Sequence, residues 1–159
     1  MRFVKYLLLF LSLLLLQTTL LPLMSIGGLV PDIVLIGVII LGIRQGAVAA
    51  ILAGCLAGFA EDAFVTRLFG LSSLANAFAG FVAGYFSREK VKYNLQVTLG
   101  VVLATALVHD VIYFFIYTLG TSVGFFRMLL RYVVPTSFYT LILAFIVHSV
   151  WPAGLWGKR

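Results

Sequence analysis

Apolar residues run almost unbroken from Tyr6 to Leu16, from Ile33 to Ile43, from Ala47 to Phe59, from Leu71 to Phe86, from Val97 to Leu119 and from Pro135 to Trp151. None of these runs alternates apolar and polar positions, as the strands of a transmembrane barrel do. Several approach the ~20 residues that a helix needs to cross a bilayer. The pattern predicts an all-α polytopic membrane protein of six transmembrane helices. Their spans lie at about 3–21, 32–43, 47–60, 71–86, 97–119 and 131–151, in one integral membrane domain covering residues 1–159.

The breaks between the runs carry their own signals. Arg2 and Lys5 followed by an apolar run resemble a signal peptide. The residues that follow are Gln17-Thr18-Thr19-Leu20-Leu21, with no small-x-small cleavage site, so the segment is read as a retained first span with Gln17 and Thr18 facing protein. Pro22, Gly27, Gly28 and Pro31 mark a loop. Asp32 then stands where a cap or first-turn acid belongs at a helix N-terminus. The run it opens is short, roughly 16 Å as a helix, and needs tilt or local thinning to span.

Arg44-Gln45-Gly46 is a tight turn that makes the second and third helices an antiparallel hairpin. A polar hinge follows, holding Glu61, Asp62, Arg67 and Gly70, and Asn76 is the one strongly polar group of the fourth run. Arg88, Glu89, Lys90 and Lys92 make the only markedly charged loop. Phe125 to Val134 places Arg127 and Arg131 four apart, which fits either an interfacial helix or the first turns of a long last span. Pro135 starts or kinks that span, and Trp151 and Trp156 suit the headgroup level.

Composition leaves almost nothing for a soluble domain: the chain is 63% hydrophobic and 10% charged, with a mean hydropathy of +1.16. A formal charge of +6 would point to nucleic acid in a soluble protein. Here the basic residues sit at the ends of apolar runs, where topology and lipid headgroups account for them, and no nucleic-acid partner is expected. With both termini inside, Arg2, Lys5, Arg44, Arg88, Lys90, Lys92, Lys158 and Arg159 fall on the inner side, against Arg67, Arg127 and Arg131 outside. The bias predicts an N-in, C-in protein whose Asp32, Glu61, Asp62, Arg127 and Arg131 lie at the outer face.

Gly54-x-x-x-Gly58 and Gly80-x-x-x-Gly84 flank the hinge. Small residues four apart share one helix face and admit another helix closely, so Gly54, Gly58, Gly80 and Gly84 are candidate packing surfaces, for this chain's own helices or for a partner's. The hinge acids Glu61 and Asp62, with Asp32, Arg127 and Arg131, are candidate partner-binding groups, because charge this near apolar spans is costly unless paired or solvated.

His109-Asp110 lies mid-span, with Tyr113 one turn on and on the face of His109. The pair reads either as a proton relay or as a satisfied polar cluster, the latter with Asp110 paired to Arg127 or Arg131. Neighbouring side chains point about 100° apart on a helix, which makes His109 and Asp110 poor direct partners. His148 is expected in the core or at the interface. Cys55 is the single cysteine and reads as a small packing residue. No residue set matches a hydrolase triad, a metalloprotease helix, a phosphate loop or a nucleotide fingerprint, so neither an enzyme nor a cofactor or metal is expected.

The chain resembles the rod shape-determining protein MreD family along nearly its whole length. The resemblance is carried by Pro31-Asp32 opening the second span, Arg44-Gln45-Gly46 closing it, and Gly54-x-x-x-Gly58-x-x-Glu61-Asp62. Gly70-Leu71 and the span ending Gly80-Phe81-Val82-Ala83-Gly84-Tyr85 complete it. Glu61 departs from the pattern, since the family usually has a Gln or similar polar residue before the Asp. The site there can be a simple cap or an ionic contact.

The resemblance implies a non-enzymatic subunit of the bacterial cell elongation machinery in the inner membrane. It would bind MreC and work with the MreB cytoskeleton and the RodA–transpeptidase synthase of peptidoglycan. The implied fold is similar to the substrate-binding S components of energy-coupling-factor vitamin transporters, so a small-molecule binding subunit is the alternative function.

Overall fold

The computed structural model describes residues 2–19, 25, 30–64, 68–87, 94–119, 122 and 124–150. The described residues are helical apart from turns and connectors. The helices are α1 (Arg2–Thr19), α2 (Ile33–Gln45), α3 (Ala47–Phe64), α4 (Leu71–Tyr85), α5 (Leu95–Thr118), α6 (Phe125–Met128) and α7 (Val134–Val150). A π-helical turn, Leu129–Val133, joins α6 to α7, so the described residues form six helical bodies. Among the described residues, three stretches are long and apolar enough to cross a membrane: Ala47–Phe64, Leu95–Thr118 and Phe125–Ser149. Ile33–Gln45 is a shorter apolar helix. Arg67, the basic loop Arg88–Lys92, the tryptophans and the C-terminal Lys158-Arg159 lie outside the described residues.

The short helix is the centre of the bundle. Nine of its residues, from Val34 to Ile43, are buried. Such burial follows from a sequence that is apolar on every side, which settles only when other helices surround it. α1, α3, α4, α5 and α7 all pack on it. Leu35, Ile36, Ile39 and Ile43 meet Ala79 and Ala83 of α4, Val101, Val102 and Ala106 of α5, and Ala144 of α7. Gly46 ends α2 at φ +86°, a backbone conformation that L side chains rarely adopt, and it alone separates α2 from α3.

α3 and α4 form the tightest seam in the molecule. A Cβ on Gly54 would come 2.5 Å from the Asn76 carbonyl oxygen, and one on Gly80 would come 2.5 Å from that of Ala50. A Cβ on Gly58 would strike the Ser73 backbone, and one on Gly84 that of Ala47. The two glycine-spaced segments therefore pack against each other, backbone on backbone, inside this chain. Of the two packing roles open to these glycines, the intramolecular one is occupied. The outward rows of the hairpin are apolar: Val48, Leu52, Leu56 and Phe59 on α3, and Leu74, Phe78, Phe81 and Tyr85 on α4, all exposed.

The last helical body differs from the expected span. It begins at Phe125, ten residues before Pro135, so Arg127 and Arg131 lie in the first turns of one long helix. Pro135 offers no N–H and crowds the carbonyl four residues back, at Arg131. The π turn sits over those residues and widens the helix there.

Candidate functional site: a buried polar layer at the start of α2

The sequence puts its strongest polar residues at similar distances along antiparallel neighbours, and the bundle brings them into one layer. Thirteen residues give α2 a length of about 20 Å, short of a hydrocarbon core ~30 Å thick. The N-terminus of α2 ends inside the bundle, against Gln17 of α1 and Thr140 of α7. Its first four N–H groups come before any full helical turn and need acceptors there.

Each of the four has one. Gln17 Oε1 accepts from Ile33 N at 3.0 Å and from Val34 N at 2.9 Å. Asp32 Oδ1 accepts from Leu35 N at 2.7 Å, the cap that the sequence predicts. The Asp32 carbonyl accepts from Ile36 N. Thr140 Oγ1 of α7 accepts from the Asp32 amide itself at 3.2 Å.

The network continues into α3 and α4. The Gln17 amide donates to Glu61 Oε1 at 2.7 Å, and the Asn76 amide donates to Glu61 Oε2 at 2.8 Å. Both Glu61 oxygens are thus held by amides from two other helices. Asp62 does a different job one residue on. Its carboxylate accepts from Gly70 N at 2.9 Å, Ser72 N at 3.1 Å and Ser73 N at 3.3 Å, closing the N-terminus of α4. Of cap and ionic contact, Asp62 is the cap, and Glu61 binds neutral amides.

His109 and Asp110 sit on the α5–α7 side of the layer. His109 Nδ1 lies 3.1 Å from Asp110 Oδ1, so these neighbours do meet, by bending both side chains toward each other. Ser137 Oγ of α7 donates to Asp110 Oδ2 at 2.6 Å. Asp110 therefore pairs with His109 and Ser137, in place of the expected Arg127 or Arg131, which are both exposed. Tyr113 stacks on His109 with ring centroids 6.1 Å apart, on the face the spacing predicts, and Tyr117 stacks on Tyr113.

The order of contacts, hydroxyl to carboxylate to imidazole, is the wrong one for nucleophilic attack, which needs the hydroxyl on the imidazole. Among the described residues no group of three or more His, Cys, Asp and Glu side chains is placed to hold a metal ion.

Of the acids expected at an outer mouth, Glu61 and Asp62 are buried and Asp32 is half-buried, and all three are bonded within the chain, while Arg127 and Arg131 are exposed. Thr18 also departs from expectation: it is exposed and bonds to the Leu14 carbonyl of its own helix. Gln17 faces protein as expected. Cys55 packs beside Ser73, with Sγ 3.1 Å from its hydroxyl, and His148 is half-buried.

Sequence reasoning overlooked Ser137 and Thr140. Their three-residue spacing puts both on one face of a mostly apolar helix, which is the signal that could have found them.

What the fold and the layer define, among the described residues, is an all-helical apolar bundle with an internal layer of bonded polar side chains. No protein-family model, curated protein or solved structure matches the chain.

Proposed function

We propose that the chain is a non-enzymatic membrane scaffold subunit of the bacterial cell elongation complex, binding MreC and supporting peptidoglycan synthesis by the RodA–transpeptidase synthase. The observation that carries this reading is the employment of the residues behind the MreD resemblance. Asp32 caps α2, Gly46 turns the hairpin, Gly54, Gly58, Gly80 and Gly84 close the α3–α4 seam, and Asp62 caps α4. Together they build one rigid unit rather than a reaction centre.

Rigidity suits a scaffold, because a partner helix in a membrane is gripped by shape and by a few polar contacts. The outward apolar rows of α3 and α4 offer such a shape, and the exposed Arg127 and Arg131, on the last helical body, offer ionic contacts to an external domain. Co-expression with the same organism's MreC and affinity purification in detergent tests the reading. Stoichiometric co-elution that falls when Leu52 and Leu56 are both replaced by Trp supports it. Failure to co-elute, with a small molecule retained by this chain alone, favours the S-component-like binding subunit instead.

A further inference from the structure

His109 has a carboxylate oxygen at each ring nitrogen. Nδ1 lies 3.1 Å from Asp110 Oδ1, and Nε2 lies 3.8 Å from Asp32 Oδ2. The ring is buried, its side chain 7% exposed, and Nε2 has no hydrogen-bond partner. A neutral imidazole carries one N–H, so in either tautomer it satisfies one carboxylate and turns a lone pair on the other. Only an imidazolium presents a donor to both.

Each carboxylate accepts at the oxygen turned away from the ring, Asp110 Oδ2 from Ser137 and Asp32 Oδ1 from Leu35 N, which leaves Asp110 Oδ1 and Asp32 Oδ2 facing the imidazole. Satisfying both takes one proton more than the neutral imidazole holds, and the imidazole, ordinarily more basic than a carboxylate, is the group to take it. The surroundings add further negative charge. Glu61 and Asp62 approach from α3, with Gln17 bridging Glu61 to the start of α2, and Tyr113 stacks from α5 itself. α4 contributes the neutral Asn76, and α7 the neutral Ser137 and Thr140.

We propose that Asp32, His109 and Asp110 form an intramembrane proton-binding site. It holds one proton beyond the neutral imidazole's own, and that proton ties the start of α2 to α5. The proton is delivered by a hydronium ion: one O–H bond breaks, one N–H bond forms at the imidazole nitrogen lone pair, and a water molecule is released. When it leaves, a lone pair faces a carboxylate in a medium that screens poorly, and the α2–α5 tie becomes a repulsion. Through Ser137 and Thr140 the same event reaches α7. Proton occupancy is thereby coupled to how α5 and α7 seat on the central helix, whatever partner the protein serves.

Nitrogen-15 NMR of the purified full chain in lipid bilayers at pH 7 reads the site directly, because the chain has two histidines and His148→Gln assigns His109. The expected result is the doubly protonated imidazolium pattern at His109. Asp32→Asn separates charge from capping: asparagine caps a helix as well as aspartate does. Its side-chain N–H can then donate to Nε2, so His109 should revert to the neutral form, with complete loss of the imidazolium pattern. A neutral His109 in the unsubstituted chain at pH 7 overturns the proposal. So does an imidazolium that persists in Asp32→Asn. Should that variant not fold, the unsubstituted spectrum decides alone.

Discussion

Two seams lie on either side of α2, and they are made of different things. On one side α3 and α4 close by shape, with four glycines replacing side chains by backbone contact and every nearby carboxylate saturated by neutral N–H donors. On the other side α5 and α7 close on α2 through ionisable groups, with an imidazole between two carboxylates. The first seam has no alternative arrangement at hand, since a close-packed interface changes little without being broken. The second has two, differing by one proton. A membrane scaffold needs the first kind of seam to stay whole. The second kind gives it a way to respond.

Substitution should break the two seams in different ways. The largest effect belongs to Gly58→Leu or Gly84→Leu, whose side chains would enter backbone. Ordinary overpacking of an interior costs about 1–3 kcal/mol, and here the cost is well above that range, because even a Cβ would meet backbone that cannot yield. Neither variant should elute as a single species in detergent. Gly100→Ala is the control: nothing lies within 4 Å of its Cβ, and helix propensity alone makes the change neutral or stabilising by up to ~1 kcal/mol.

Next comes Glu61→Ala, which strips the acceptor from the Gln17 and Asn76 amides. At ~1–3 kcal/mol for a buried group left unpaired, and less for the half-buried Gln17, a loss of about 2–4 kcal/mol is expected in reversible unfolding. Asp62→Ala should cost about 1–2 kcal/mol by uncapping α4, with Asp62→Asn recovering most of it in the same assay. Thr18→Ala, at an exposed hydroxyl bonded to its own helix, should move the unfolding midpoint by less than ~0.5 kcal/mol.

Local features of this molecule were readable from the chain. Apolar run length located the helices, Pro31-Asp32 located the cap of α2, and four-residue glycine spacing located two packing faces. What escaped was pairing across distance. Gln17 and Asn76 each stand out in an apolar run, yet nothing local says that both reach Glu61, 44 and 15 residues away. The hinge acids looked exposed because a charged pair after an apolar run resembles a loop. α3 instead continues through them to Phe64, so that Asp62 can cap its neighbour. Asp110 looked like a partner for a distant arginine because the ~100° step between helix neighbours disfavours His109. The side chains close that angle where no arginine reaches.

Hydrogen–deuterium exchange of the full chain in lipid nanodiscs between pH 6 and pH 9, corrected for intrinsic exchange rates, compares the seams most directly. Shape does not titrate, so backbone amides of α3 and α4 facing the glycine seam should keep the same protection throughout. Amides of α5 around His109 and of α7 around Ser137 should lose protection as the pH rises, and Asp32→Asn should abolish that dependence. Protection that changes equally at both seams, or at neither, would contradict the account.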